Sequence, residues 1–213
     1  MAQADRVRIY NLVRLLLEEG DVIQSAEEQD GLAQDITTIY EDVRDQLFEA
    51  YVWNFTLTRT LIAAMVESPV FGWRYQYALP SDCIKLPYLT KNGAFEGEPI
   101  LYERETFVAG EDPATTRVRV ILTDEPAPLR VRYVARVEDE RLFSPLFVGA
   151  LAAKLALTLS HQLTGKQSYT ERMKVQFDEA ITLAVASNDV QGTKPRVITD
   201  HGAFVPSWID ERQ

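Results

Sequence analysis

Residues 129–163 read LRVRYVARVEDERLFSPLFVGALAAKLALTLSHQL, and the periodicity changes partway through. In 129–137, Val131, Tyr133 and Ala135 alternate with Arg130, Arg132 and Arg136, the period-2 pattern of a half-buried strand. At Ser144-Pro145 the pattern switches: serine is a helix cap, and proline suits the first helical turn because its missing N–H has no partner there anyway. Residues 146–163 then carry Leu146, Phe147, Leu151, Leu155, Leu159 and Leu163. This helix is apolar around much of its circumference, which predicts the most buried element of the fold.

Working outward, 117–122 repeats the strand pattern, with Val118 and Val120 against Arg117 and Arg119. Weaker strand patterns cover 73–79, 83–89 and 100–108. Seven prolines and four glycines punctuate the region from Trp53 to Val137, as expected of turns between short strands. Helical spacing returns on both sides. Ile9, Val13, Leu16 and Leu17 predict a helix over 3–19 that stops at Gly20. Leu32, Ile36, Ile39, Tyr40, Val43, Leu47 and Phe48 predict a second over 30–51, with Ser25 and Glu28 fitting a capping box. Ser168 and Glu171 fit another, ahead of a fourth helix running to 187. The expectation is an α+β chain: an antiparallel four-helix bundle made of 1–52 and 141–190, an inserted, mostly antiparallel β-domain at 53–140, and an extended C-terminal tail at 191–213.

The chain has 213 residues, a net charge of -10 and a pI near 4.8. An acidic protein gains little from neutralising phosphates, so nucleic-acid binding as a main task is disfavoured. The single cysteine, Cys83, rules out an intrachain disulfide and suits a reducing cytoplasm. The N-terminal segment is broken by Arg8, Arg14, Glu18 and Glu19 and lacks the apolar run of a signal peptide. No apolar run reaches the roughly 18 residues of a membrane span.

Catalytic chemistry finds little to use. His161 and His201 have no paired metal-ligand spacing. Gly165-Lys166 lacks the upstream glycine of a phosphate loop, and Gln167 stands where Ser or Thr is needed. Cys83 reads as a small buried hydrophobe. Asp139-Glu140 and the run Glu18-Glu19-Gly20-Asp21 could host acid/base work on a glycan but read more simply as solvated element ends. No cofactor or metal is expected. Two features point to partners instead. Arg117, Arg119, Arg130, Arg132 and Arg136 predict a basic sheet face, either a solvated face balanced by nearby carboxylates or one suited to docking on an acidic surface. The tail carries Val197, Ile198, Phe204, Val205 and Trp208, whose exposure to water is costly, so it either packs on its own body or, the favoured expectation, is held by another chain.

An ordered set of motifs adds a resemblance. Val43-Arg44-Asp45, Trp53-Asn54-Phe55, Phe71-Gly72-Trp73-Arg74-Tyr75 and Leu79-Pro80-Ser81-Asp82-Cys83 are followed by Leu129-Arg130-Val131-Arg132-Tyr133, Phe143-Ser144-Pro145-Leu146-Phe147 and Leu163-Thr164-Gly165. In this order they resemble the tail tubular protein A family of head-to-tail adaptors in short-tailed bacteriophages, over roughly residues 5–190. Beyond Thr193 there is no match. The resemblance implies a non-enzymatic structural protein of the virion neck, assembled in the host cytoplasm. Its subunits form a ring, typically of twelve copies, between the portal protein and the tail nozzle (tail tubular protein B). The ring can present tail fibres, and its channel gives the genomic DNA only transient, non-specific contact. The competing readings are a virion-associated peptidoglycan hydrolase and an assembly chaperone.

Overall fold

A computed structural model describes residues 6–19, 21–25, 30–95, 97–108, 117–164 and 167–191, with the backbone alone for 161–164. Four helices, α1 (Arg6–Leu17), α2 (Gly31–Ala50), α3 (Pro145–Thr164) and α4 (Gln167–Val190), flank six strands: β1 (Leu57–Ile62), β2 (Tyr75–Ala78), β3 (Cys83–Tyr88), β4 (Glu103–Val108), β5 (Arg117–Thr123) and β6 (Leu129–Ala135). The fold is mixed α+β, with two small antiparallel sheets ordered β1-β6-β3 and β2-β5-β4.

The leucine-alanine helix is the centre of the helical layer, as its composition requires. Phe147, Ala150, Leu151, Leu155 and Ala156 of α3 are wholly buried, and α1, α2 and α4 all pack on it. Ser144 caps it, its Oγ accepting from the Phe147 N–H at 3.3 Å.

The other helix ends differ from the sequence reading. Helix α2 is capped by Asp30, whose Oδ2 accepts from the Ala33 N–H at 3.0 Å, and not by Ser25. Asp30 also takes the Arg14 guanidinium, and that cation outweighs a neutral hydroxyl as a reason to start the helix there. Helix α1 ends before Gly20. Glu18 takes a positive φ of 57°, and the Glu19 and Glu18 N–H groups close on the Arg14 and Leu15 carbonyls, the Schellman pattern with a glutamate where glycine is usual. Ser168 lies inside the first turn of α4.

All five strands expected from the sequence are present. A sixth, β1, was not anticipated: its Leu-Thr-Arg-Thr-Leu-Ile run puts only Thr58, Thr60 and Ile62 on the inner face, too polar to read as half-buried alternation. The inner faces of the two sheets enclose a second core containing Tyr77, Ile121, Leu129, Val131, Tyr133 and Leu86. Cys83 sits in it at 1% exposure, and burial pushes its thiol pKa up.

Helices and sheets meet at an aromatic cluster. Phe48 of α2, Trp53 and Phe55 on the way out to β1, and Phe143 and Phe147 on the way back into α3 hold ring centroids 4.9 to 6.1 Å apart. The Trp53 indole N–H, wholly buried, donates to the Leu47 carbonyl at 2.8 Å. Asn188 of α4 locks the same crossing. Its Oδ1 accepts from the Asn54 N–H at 2.8 Å, its Nδ2 donates to the Val52 carbonyl at 3.0 Å, and its own carbonyl accepts from Asn54 Nδ2 at 2.6 Å.

Trp53→Ala is expected to cost about 3–5 kcal/mol in urea denaturation, and to loosen helices and sheets together because its neighbours belong to both. Asp30→Ala is expected to cost about 1 kcal/mol through the lost cap, and more in total because it also strips the buried Arg14 guanidinium of its carboxylate. The Arg14 guanidinium, and then the Ala33 N–H, hold the Asp30 carboxyl below its ordinary 3.8. A group with a depressed folded pKa contributes stability above its unfolded value and loses it as pH falls through the folded one. Asp30→Asn keeps a cap oxygen, so its stability should fall less steeply than wild type below pH 3.8.

Candidate interaction surfaces

The five arginines singled out in the sequence do not form one face. Arg117 and Arg119 lie on β5, in one sheet; Arg130 and Arg132 lie on β6, in the other. Arg136 follows the end of β6 and pairs with Asp45 of α2 at 2.7 Å. Alternation within a strand shows which side chains share a face of that strand, but not which strands share a sheet.

Two groups result. Arg119 and Arg136 border a cleft of about 360 Å³ with Asp42, Asp45, Glu49 and the buried Cys83. Asp45 is already committed there: one oxygen takes Arg44 at 2.9 Å, the other Arg136 at 2.7 Å. Arg44 is itself only 2% exposed, so this is a structural ion-pair network tying α2 to the end of β6.

The second group is on the outer face of β1-β6-β3. Near the helices that face is covered: Val134, Leu57 and Ile84 pack into the helical core. Where the cover stops, Arg59 stands directly opposite Arg132, and Leu61 opposite Arg130. Arg59 and Arg130 are exposed and Arg132 half-buried. Arg132 donates to the Tyr88 hydroxyl at 2.9 Å and Arg130 to the Lys91 carbonyl at 3.3 Å. Gly93, at φ +68°, lets the turn come against Arg130, where an added Cβ would sit 3.1 Å from Arg130 Cβ. None of Arg59, Arg130 and Arg132 has a carboxylate partner among the described residues. The sequence reading missed Arg59 because it missed β1; the β-branched Thr58, Thr60 and Ile62 were the available signal.

A complementary surface lies on α2. Asp35, Asp42 and Glu49 recur every seven residues, with Glu41 beside them. All four are exposed, and none forms an ion pair among the described residues. Successive members of the row are about 10 Å apart along the helix, against about 7 Å between Arg130 and Arg132 along the strand. Among the described residues no group of three His, Cys, Asp or Glu is placed to hold a metal, and no helix is long and apolar enough to cross a membrane. The tail positions Val197, Ile198, Phe204, Val205 and Trp208, together with His201 and Gly165-Lys166, lie outside the described residues.

No family model matches the sequence, and no curated protein matches it.

Like charges directly opposite each other on neighbouring strands destabilise a sheet by about 0.2–1 kcal/mol. Arg59→Thr is therefore expected to raise the stability of the isolated chain by a few tenths of a kcal/mol in denaturant titration, with the gain shrinking as salt is added.

Proposed function

We propose that the chain is a structural head-to-tail adaptor of the tail tubular protein A type, forming a ring in the virion neck of a short-tailed bacteriophage between portal and nozzle, with a channel for the genome. The observation that carries the reading is the pair of unlike surfaces on one chain: the arginine face of β1-β6-β3, with no carboxylate partner among the described residues, and the acidic row of α2. Because these surfaces differ, one copy joins the next head to tail, and such heterologous contacts close into rings when the rotation permits. In this reading the four helices form an antiparallel bundle in the ring wall, and the β-domain is an insertion projecting from it.

The sequence resemblance supports the same role. Two of its motif blocks, Trp53-Asn54-Phe55 and Phe143-Ser144-Pro145-Leu146-Phe147, meet in the aromatic cluster that sets the β-domain on the helices. The ordered motifs thus mark the joint that such an adaptor must keep rigid.

Native mass spectrometry and electron microscopy of the protein with and without its portal test this. A closed ring on the portal is expected; a chain that stays monomeric and ignores the portal would sink the reading. Reversing the arginine face (Arg59→Glu with Arg132→Glu) should block ring closure while leaving the fold intact. Mixing that protein with one carrying Asp42→Lys and Glu49→Lys should restore closure in even-numbered rings, because each junction is then complementary again.

A further inference from the structure

A groove of about 520 Å³ runs along the outer face of the second sheet, beneath the 68–73 segment. Its volume lies within the ordinary range for ligand sites. Its floor is Val120 and Leu122 of β5 and Gln76 of β2; its wall is Val70, Phe71 and Trp73. Two observations set it apart from a packing gap. Val70 and Phe71 are 96% and 85% exposed, so large apolar side chains stand at the rim with nothing among the described residues over them. And Gln76, only 3% exposed, has a side-chain Nε2 with no hydrogen-bond partner. Its backbone is satisfied, the carbonyl taking the Met65 N–H at 2.8 Å. An orphaned buried amide is costly unless something supplies an acceptor.

The chemistry of the groove defines its occupant. Apolar side chains fit between Phe71 and the Val120–Leu122 floor. A backbone carbonyl answers the Gln76 amide. On the β4 side are two carboxylates: Glu103, which accepts from the Trp73 indole N–H at 3.0 Å, and Glu105, which has no cation partner among the described residues. The ligand class is an extended peptide with a cation next to apolar residues. Among stretches of this chain outside the described residues, 1–5, 26–29 and 109–116 contain no lysine or arginine, and the last two are acidic. The stretch 192–213 contains Lys194-Pro195-Arg196-Val197-Ile198. There, a proline that restricts the backbone to extended forms separates two cations, and two β-branched residues follow. The segment begins four residues beyond Val190, so Lys194 to Ile198 reach at most roughly 14–28 Å from the end of α4, which limits the grooves open to it to those that near, on the same copy or its neighbour.

We propose that the groove under 68–73 is a peptide-binding site and that residues 194–198 of this chain are its occupant. The cation pairs with Glu105, a carbonyl of the segment accepts from Gln76 Nε2, and Val197 or Ile198 seats against Phe71. This inference stands apart from the ring reading and is tested on single copies without any portal.

The test is nuclear magnetic resonance of the full-length protein, with the Trp73 indole and Gln76 side-chain amide signals as reporters. Arg196→Glu combined with Val197→Asp, outside both cores, should shift both signals relative to wild type. A synthetic peptide of residues 192–200 added to that variant should move them back, while the same peptide carrying Arg196→Glu should bind about tenfold more weakly. Glu105→Lys should weaken the peptide similarly, and Gln76→Leu should weaken it while leaving stability unchanged or higher, since the orphan amide is gone. Reporter signals that depend on protein concentration place the segment in a neighbour's groove, and constant ones in its own; both support the site. Identical reporters in wild type and tail variant, with no response to about 1 mM peptide, the weak end of specific binding, would overturn the proposal. So would peptide shifts indifferent to Glu105→Lys.

Discussion

Everything else in this molecule hangs on the stacking of Phe48, Trp53, Phe55, Phe143 and Phe147 where the chain twice crosses between helices and sheets. The outgoing crossing supplies Trp53 and Phe55 just before β1 begins at Leu57, and the returning crossing supplies Phe143 and Phe147 at the start of α3. Aromatic pairs at these separations contribute roughly 0.5–1.5 kcal/mol each beyond the area they bury. More important is what they prevent. With both crossings in one cluster, and Asn188 holding the Asn54 and Val52 backbone from the third side, the sheets are tied to the helices at both crossings. The covered end of β1-β6-β3 then rests on the helical core through Val134, Leu57 and Ile84, and the arginines begin where that contact ends.

Features that depend on local periodicity were legible in the sequence. The buried α3, its Ser144-Pro145 start, the apolar stripe of α2 and five of six strands all follow from spacing and cap chemistry over a few residues. Features that depend on distant partners were not. Ser25 is a good cap by type, but Asp30 wins because Arg14, on another helix, adds a charge to the same bond. Strand β1 carries a polar inner face, no residue of which is fully buried, and is a strand only by pairing along Tyr133, Val131 and Leu129 of β6. The arginines were visible one by one, and their alternation was right. Their division between two sheets was not, because strand order is set by pairings between residues far apart in the chain.

The same residue type serves opposite purposes here, and only its partners tell the cases apart. Arg14, Arg44 and Arg136 each meet a carboxylate; Arg14 and Arg136 tie elements together, and Arg44 shares Asp45 with Arg136. Arg6 bridges α1 to the turn after β6 through Glu140 at 2.9 Å, with its guanidinium over the Tyr40 ring; burial and Glu140 push the Tyr40 hydroxyl well above its ordinary pKa. Such pairs use up charge inside the fold. Arg59, Arg130 and Arg132 do not, and a chain of net charge -10 has carboxylates to spare for them. That they stand without a carboxylate among the described residues, two of them face to face, is a choice the isolated fold does not need.

Where a chain accepts a cost its own folding does not require, the compensation is to be sought outside the single copy. The like-charged pair on β1 and β6 and the orphaned amide at Gln76 are both costs of this kind. Both lie in the sheets, whereas the aromatic cluster and the buried guanidinium pairs that secure the fold lie at or behind the crossing. This division explains how the sheets can be specialised without endangering the fold: an outer face can carry like-charge repulsion, and a buried amide can go without a partner, because the joint with the helices is over-determined. It also implies that substitutions in the two regions should separate cleanly, those at the crossing acting on stability and those on the outer sheet faces acting on association.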